Sequence, residues 1–167
     1  MLYYSGIDTQ SIVDGEGVRL VIFFSGCKHA CDGCHNKETW GFKTGKEFTQ
    51  EVKDKIYCIM SRSQLIKGIT LSGGDPMFSP VEVLQFVLEF KSKFPDKDIW
   101  LYTGFELPNI YAEGNSDRIN LLQFCDYVVD GKFDYMQTKK KVLFRGSSNQ
   151  KIWRREGTEF IDVSQFY

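Results

Sequence analysis

The strongest constraint on this chain is a rhythm. Short apolar, β-branched or aromatic segments alternate with amphipathic ones, and each short segment stops at a glycine or an acid. Val18-Arg19-Leu20-Val21-Ile22-Phe23-Phe24 ends at Ser25-Gly26. Gly68-Ile69-Thr70-Leu71 ends at Ser72-Gly73-Gly74-Asp75-Pro76, and Asp98 to Tyr102 ends at Thr103-Gly104. Tyr127-Val128-Val129 ends at Asp130-Gly131, and Val142-Leu143-Phe144 at Arg145-Gly146. Such runs read as buried strands entering turns.

Helical patterns lie between them. Thr49 is placed to cap a helix through about Arg62, with Val52, Ile56, Ile59 and Met60 on one face. Ser79-Pro80-Val81-Glu82 reads as a capping box with proline at the first helical position. Val81, Leu84, Val87 and Leu88 then form the expected core stripe. Lys91 and Lys93 suit the last turn before Pro95. A less regular helical stretch breaks at Gly114 and resumes from about Ser116 to Phe124.

Strands alternating with helices imply a parallel sheet with right-handed crossovers. A complete eight-fold barrel takes about 250 residues, and this chain has 167. The expected fold is therefore α/β, a partial, open (β/α) barrel of mostly parallel strands in one domain. In such sheets ligands lie beyond the carboxyl ends of the strands, where the glycine and acid punctuation would fall.

Composition narrows the class. Lys and Arg number 21 against 22 Asp and Glu, a net charge of −1, so the basic excess needed for nucleic acid is missing. Residues 131–167 are the exception, with 8 basic and 4 acidic side chains. They present either a face for an acidic protein or an ordinary solvated surface carrying Lys139-Lys140-Lys141. Neither a membrane-spanning run nor an export signal is visible, and a cytosolic location is expected.

Of five cysteines, three fall within eight residues: Cys27, Cys31 and Cys34. Clustering of this kind points to metal or redox chemistry rather than a disulfide framework. Whether helical or wrapped as a loop, the segment can bring all three thiols toward one object. Three thiolates on a cubane cluster leave one iron free for a ligand. The alternatives are a zinc site completed by His29 or His35, and a Cys31/Cys34 redox pair. Cys58 and Cys125 read as core cysteines.

Together, Cys27-x3-Cys31-x2-Cys34 and Ser72-Gly73-Gly74-Asp75-Pro76 resemble the radical S-adenosylmethionine superfamily. Most of its members have an aromatic residue where this chain has Gly33, a departure that the small glycyl-radical activases share. Asp14-Gly15-Glu16-Gly17-Val18-Arg19, the Cys34 to Trp40 string, Lys97 to Gly104, Val129 to Phe133 and Arg145 to Gln150 are similar to the activases of anaerobic ribonucleotide reductase. The similarity runs from about residue 3 to 153. Residues 154–167 match nothing in that pattern and are an extension of unknown role.

The resemblance implies a 4Fe–4S cluster on Cys27, Cys31 and Cys34, with S-adenosylmethionine chelated to the open iron. Reductive cleavage would yield a 5′-deoxyadenosyl radical that takes a hydrogen from a glycine of the reductase large subunit. Gly73 and Gly74 would admit the methionine end. Asp75 would either accept from its ammonium group or cap the following helical turn. Gly33, Cys34 and His35 would line the adenosyl side, with His35 either stacking on adenine or serving as a loop residue. Thr103, Asp130, Tyr102 and Arg145 are further candidates at that edge. Arg19 reads as a partner of Asp14 or Glu16 in a surface salt bridge. Asn149 and Gln150 either contact the partner or form a turn. A flavodoxin-like protein is the expected electron donor. The rival functions are activation of another glycyl-radical enzyme, of the pyruvate formate-lyase type, and a non-catalytic iron–sulfur or zinc module.

Overall fold

The computed structural model describes residues 1–167. Four parallel strands form its centre: β2 (Val18–Phe24), β4 (Ile66–Gly73), β5 (Asp98–Tyr102) and β6 (Tyr127–Asp130). Antiparallel strands flank them, β1 (Tyr3–Ser11) and β3 (Lys46–Glu47) on one side and β7 (Lys151–Glu156) and β8 (Glu159–Asp162) on the other. The result is one open eight-stranded sheet in the order β3-β1-β2-β4-β5-β6-β7-β8. It is not a closed barrel. No helix is long and apolar enough to cross a membrane.

The crossovers carry α1 (Gln50–Arg62), α2 (Pro80–Lys93), α3 (Leu107–Glu113) and α4 (Ser116–Leu122). Period-two alternation sorts each central strand between two faces. Ile99 and Leu101 of β5 join the main core with Leu20, Ile22, Ile69 and Leu71, beneath Ile56 and Met60 of α1 and Phe86 and Phe90 of α2. Trp100 points the other way, into a smaller cluster with Val129, Ile152 and Val163.

Several expectations change here. On α2 the buried face is Val83, Phe86, Val87 and Phe90, whereas Val81 and Leu88 are 46% and 45% exposed. Two phenylalanines carry more apolar area than the aliphatic stripe, and they rotate the helix toward the sheet. Ser79 stands at the helix start, but its side chain makes no capping hydrogen bond. Cys125 is buried as expected; Cys58 is exposed, on the solvent side of α1.

The segment from Val142 to Arg145 is not a strand. Phe144 takes a left-handed φ of 59° and turns its ring onto Trp100 at 5.5 Å. Its carbonyl accepts from the Tyr102 hydroxyl at 2.6 Å. The partner of β6 is instead antiparallel β7, so residues 154–167 supply most of a hairpin that extends the sheet. Arg145 secures the end of that segment by donating to the Tyr167 main-chain oxygen at 2.7 Å and to the Gln150 carbonyl at 3.2 Å. Tyr167 reaches back to donate to Glu16.

Arg19 is not on the surface. It is fully buried, with Nη2 2.7 Å from Asp98 Oδ1 and Nε donating to Thr70 Oγ1 at 2.7 Å. Further bonds run to the carbonyls of Ile69 at 2.7 Å and Glu16 at 3.0 Å. Oδ1 of Asp98 lies off the N–H axis, so its contact is charge pairing rather than an aligned hydrogen bond. Removing that counter-charge strands a buried cation. Asp98→Ala is therefore expected to destabilise the fold by about 3 kcal/mol or more, read as a lower urea midpoint; an unchanged midpoint would show that Arg19 is satisfied by the carbonyls alone.

Candidate metal and cofactor site

Parallel pairing sets the carboxyl ends of the central strands level, with Gly73 opposite Phe24, Leu101 opposite Leu71 and Val129 opposite Tyr102. The chain leaves β2 at this edge and enters an irregular loop, with one 3-10 turn at Lys37–Thr39, before β3. Main-chain bonds stitch the loop on two sides. Gly26 N–H donates to Thr39 O at 2.7 Å and Cys27 N–H to Trp40 O at 3.1 Å. On the other side Asp75 N–H donates to Gly26 O at 3.0 Å and Gly74 N–H to Phe24 O at 2.8 Å. The cysteine segment is thus a wrapped loop, not a helix.

The thiols of Cys27, Cys31 and Cys34 open onto one cleft, whose opposite wall includes Ser72, Gly73 and Gly74. His35, Thr103, Tyr102, Gly104 and Phe133 complete much of the remainder. Eight of the expected site residues therefore border one space: Cys27, Cys31, Cys34, His35, Gly73, Gly74, Tyr102 and Thr103. Gly33 lies behind it, where a Cβ would come within 3.0 Å of the Tyr135 ring.

Two acids do not belong to that wall. Asp75 is buried beneath it, with Oδ1 accepting from Met77 N–H at 2.9 Å. Its Oδ2 accepts from Thr103 Oγ1 and Gly104 N–H, both at 2.9 Å, and lies 2.7 Å from His29 Nε2. The helix-capping alternative is the one the structure displays, and Asp75 is not among the residues that line the cleft. Asp130 faces a separate cavity beside Asn149 and Trp153, and its Oδ2 caps α3 by accepting from Leu107 N–H at 2.6 Å. Both carboxylates sit at strand ends because helices begin there, and helix N-termini need acceptors.

Gly73 and Gly74 are demanded by the fold itself. Gly73 has φ 106°, and a Cβ there would meet the Phe24 main chain at 2.3 Å. At Gly74 it would lie 2.7 Å from Gly26 O. Close backbone approach to the cysteine loop is by itself enough to require glycine at both positions. Asn149 and Gln150 form a turn: Asn149 donates to Lys132 O at 2.8 Å, and Gln150 accepts from Gly146 N–H at 2.9 Å.

Two contributors, Asn36 and Phe133, escaped the sequence reading, and His29 was considered only as a zinc ligand. Asn36 donates its side-chain amide to Gly73 O at 3.3 Å and its main-chain N–H to Cys34 Sγ at 3.4 Å. Phe133 packs on His35 with ring centroids 5.0 Å apart. His29 anchors the loop through Asp75. Asn36 stands two residues after Cys34, and His29 midway between two cysteines; that proximity was the available signal.

The donor set fits an iron–sulfur cluster. All three candidate ligands are soft thiols, and they share one open cleft. His29 is hydrogen-bonded to Asp75 through Nε2, and His35 packs on the Phe133 ring.

Burial pushes the Cys27 thiol up to about 11, with the nearby Asp75 carboxylate adding to the shift, and burial also raises Cys31. Complete burial raises Cys125 to about 12. These thiols ionise in the unfolded chain at lower pH than in the folded one. Their contribution to stability is full below about pH 8.5, the ordinary thiol value, and is lost as pH rises through the folded values. The metal-free protein is expected to lose thermal stability between about pH 9 and 11, and Cys125→Ala to shrink that loss; a melting midpoint flat across this range would contradict the raised values.

Residues 13–153 match the family described as a 4Fe-4S single cluster domain. The chain is 43% identical over 146 residues to the anaerobic ribonucleoside-triphosphate reductase-activating protein of Vibrio cholerae serotype O1, covering 86% of this chain and 92% of that protein. It is 38% identical over 152 residues to the protein of that name from Enterobacteria phage T4, with 90% and 92% covered. The Escherichia coli K12 counterpart is 36% identical over 144 residues, with 84% and 91% covered. With a cleft lined by three cysteines at the end of an open sheet and relatives matched over nearly their whole length, the chain belongs to the family of anaerobic ribonucleoside-triphosphate reductase-activating proteins.

Proposed function

We propose that this chain is a radical S-adenosylmethionine enzyme that installs the glycyl radical of an anaerobic ribonucleotide reductase. The observation that carries the reading is the cleft itself, with three thiols on one wall and the Ser72-Gly73-Gly74 strand end on the other. When bound, the cluster supplies one electron for cleavage of the sulfonium, and the carbon radical released takes a hydrogen from a glycine of the large subunit.

The residues of the chain bind, orient and shield. Cys27, Cys31 and Cys34 hold the cluster as thiolates. The N–H of Asn36 stabilises negative charge on the Cys34 sulfur, as outer partners of metal ligands do. Main-chain groups of Ser72, Gly73 and Gly74 face the methionine end. His35, backed by Phe133, offers an aromatic surface to the adenosyl end, with the Gly33-Cys34 main chain behind it. Thr103 shapes the floor while its hydroxyl is held by Asp75. Asp75 and Asp130 are assigned to capping, not to the nucleoside. The basic residues 131–167 suit an acidic electron donor such as a flavodoxin, and the setting is anaerobic cytoplasm.

Anaerobic incubation with the large subunit, S-adenosylmethionine and a reductant is expected to yield a glycyl signal in electron paramagnetic resonance. Pyruvate formate-lyase in place of the reductase should yield none. Replacing any one of Cys27, Cys31 or Cys34 with Ala should abolish bound iron and 5′-deoxyadenosine formation together. Iron loading should also protect those three thiols from alkylation while exposed Cys58 stays reactive. Retention of cluster and cleavage in one variant would remove that cysteine from the ligand set.

A further inference from the structure

His29 lies between the first two cysteines and belongs to neither a helix nor a strand. Its side chain is nevertheless only 8% exposed. The ring packs against both Phe105, at 4.6 Å, and Phe78, at 5.0 Å, which also touch each other. Nε2 lies 2.7 Å from Asp75 Oδ2, and since a carboxylate only accepts, Nε2 carries the proton that is donated.

The pocket is shaped for this ring. A Cβ on Gly104 would stand 2.5 Å from His29 Cδ2 and 2.6 Å from Nε2. Asp75, 1% exposed in its side chain, is held by Thr103 and Gly104 from the end of β5 and by Met77 from the turn after β4. One side chain of the cysteine loop is therefore pinned to an acceptor built by two neighbouring strand ends.

We propose that His29 is a positioning residue for the iron–sulfur cluster, with Asp75 as its seat. The contact sets where the Cys27–Cys31 arc stands relative to the Gly73-Gly74 wall. The Gly26 to Cys27 end of the arc is fixed by the main-chain bonds already described. Between there and Cys34 the Cys31 thiol also faces the Phe133 N–H, just past the end of β6, and Ala30 takes a left-handed φ of 51°. The proposal rests on the cluster-binding reading above, but it makes a statement about the metal-free chain as well.

The test uses the full chain with His29→Phe, His29→Gln and Asp75→Asn. Phenylalanine keeps the packing against Phe78 and Phe105 and loses the donor; glutamine restores a donor. In the metal-free protein, alkylation of Cys27 and Cys31 relative to exposed Cys58 should accelerate several-fold in His29→Phe and return toward the parent in His29→Gln. In the loaded protein, affinity for iron measured by chelator competition should fall about ten-fold in His29→Phe, with a broadened spectrum of the reduced cluster, and His29→Gln should recover most of both. If His29→Phe matches the parent in alkylation and affinity, the ring only fills space and the proposal fails. If Asp75→Asn weakens S-adenosylmethionine binding while His29→Phe leaves it intact, Asp75 acts on the nucleoside and the proposal likewise fails. Should His29→Phe not fold, Asp75→Asn must show the same alkylation change for the proposal to stand. A parent that loads no cluster would defeat the functional reading, yet the alkylation ratios would still report on the strut.

Discussion

The close approach of two backbones at one sheet edge governs the rest of the molecule. Gly73 and Gly74 lie so near Phe24 and Gly26 that no side chain fits between them. That proximity lets Gly74 N–H reach Phe24 O and Asp75 N–H reach Gly26 O. The cysteine loop is consequently laid along the end of β4 rather than projecting into solvent. Thiols and strand-end main chain then face each other across a cleft, an arrangement that neither segment could create alone.

The two sides of the sheet do different work. Helices cover one side and bury the aliphatic and phenylalanine core. On the other side Trp100 stacks on Tyr127 at 4.4 Å, and Phe144 and Tyr167 close over it. Arg19 threads beneath this aromatic cover to meet Asp98, with its guanidinium 5.7 Å from the Trp100 ring. Residues at the end of the chain therefore shut the lower half of the open sheet. The upper half remains free for the cleft. Residues 154–167, which lie beyond the span matched by the family model, contribute pairing and cover, which many sequences can provide.

Legibility followed the range of each interaction. The parallel strands, α1, α2 and the break at Gly114 were readable because period and turn chemistry are local. Val142-Leu143-Phe144 was misread because an apolar triplet has the same composition in a strand as in a loop whose phenylalanine is inserted into a distant cluster. β1 was missed because its residues are mostly half-buried and do not alternate cleanly. Asp75 was left open between a ligand contact and a cap, and Asp130 was placed at the ligand edge, because an acid after a strand serves a helix start as readily as a cofactor. Arg19 carries no mark of burial in its neighbours; its partner is 79 residues away.

By itself the sequence determined the class of chemistry and its carriers. Three cysteines at offsets of four and seven, and a glycine pair ending a strand, limit the metal and the backbone geometry through properties each residue has in isolation. Only the tertiary structure decided how those pieces face one another: which acids cap helices, what covers the lower sheet, and that His29 is bonded to Asp75. Each of those outcomes depends on a hydrogen bond or packing contact between residues far apart in the chain, and no local pattern encodes a distance across the fold.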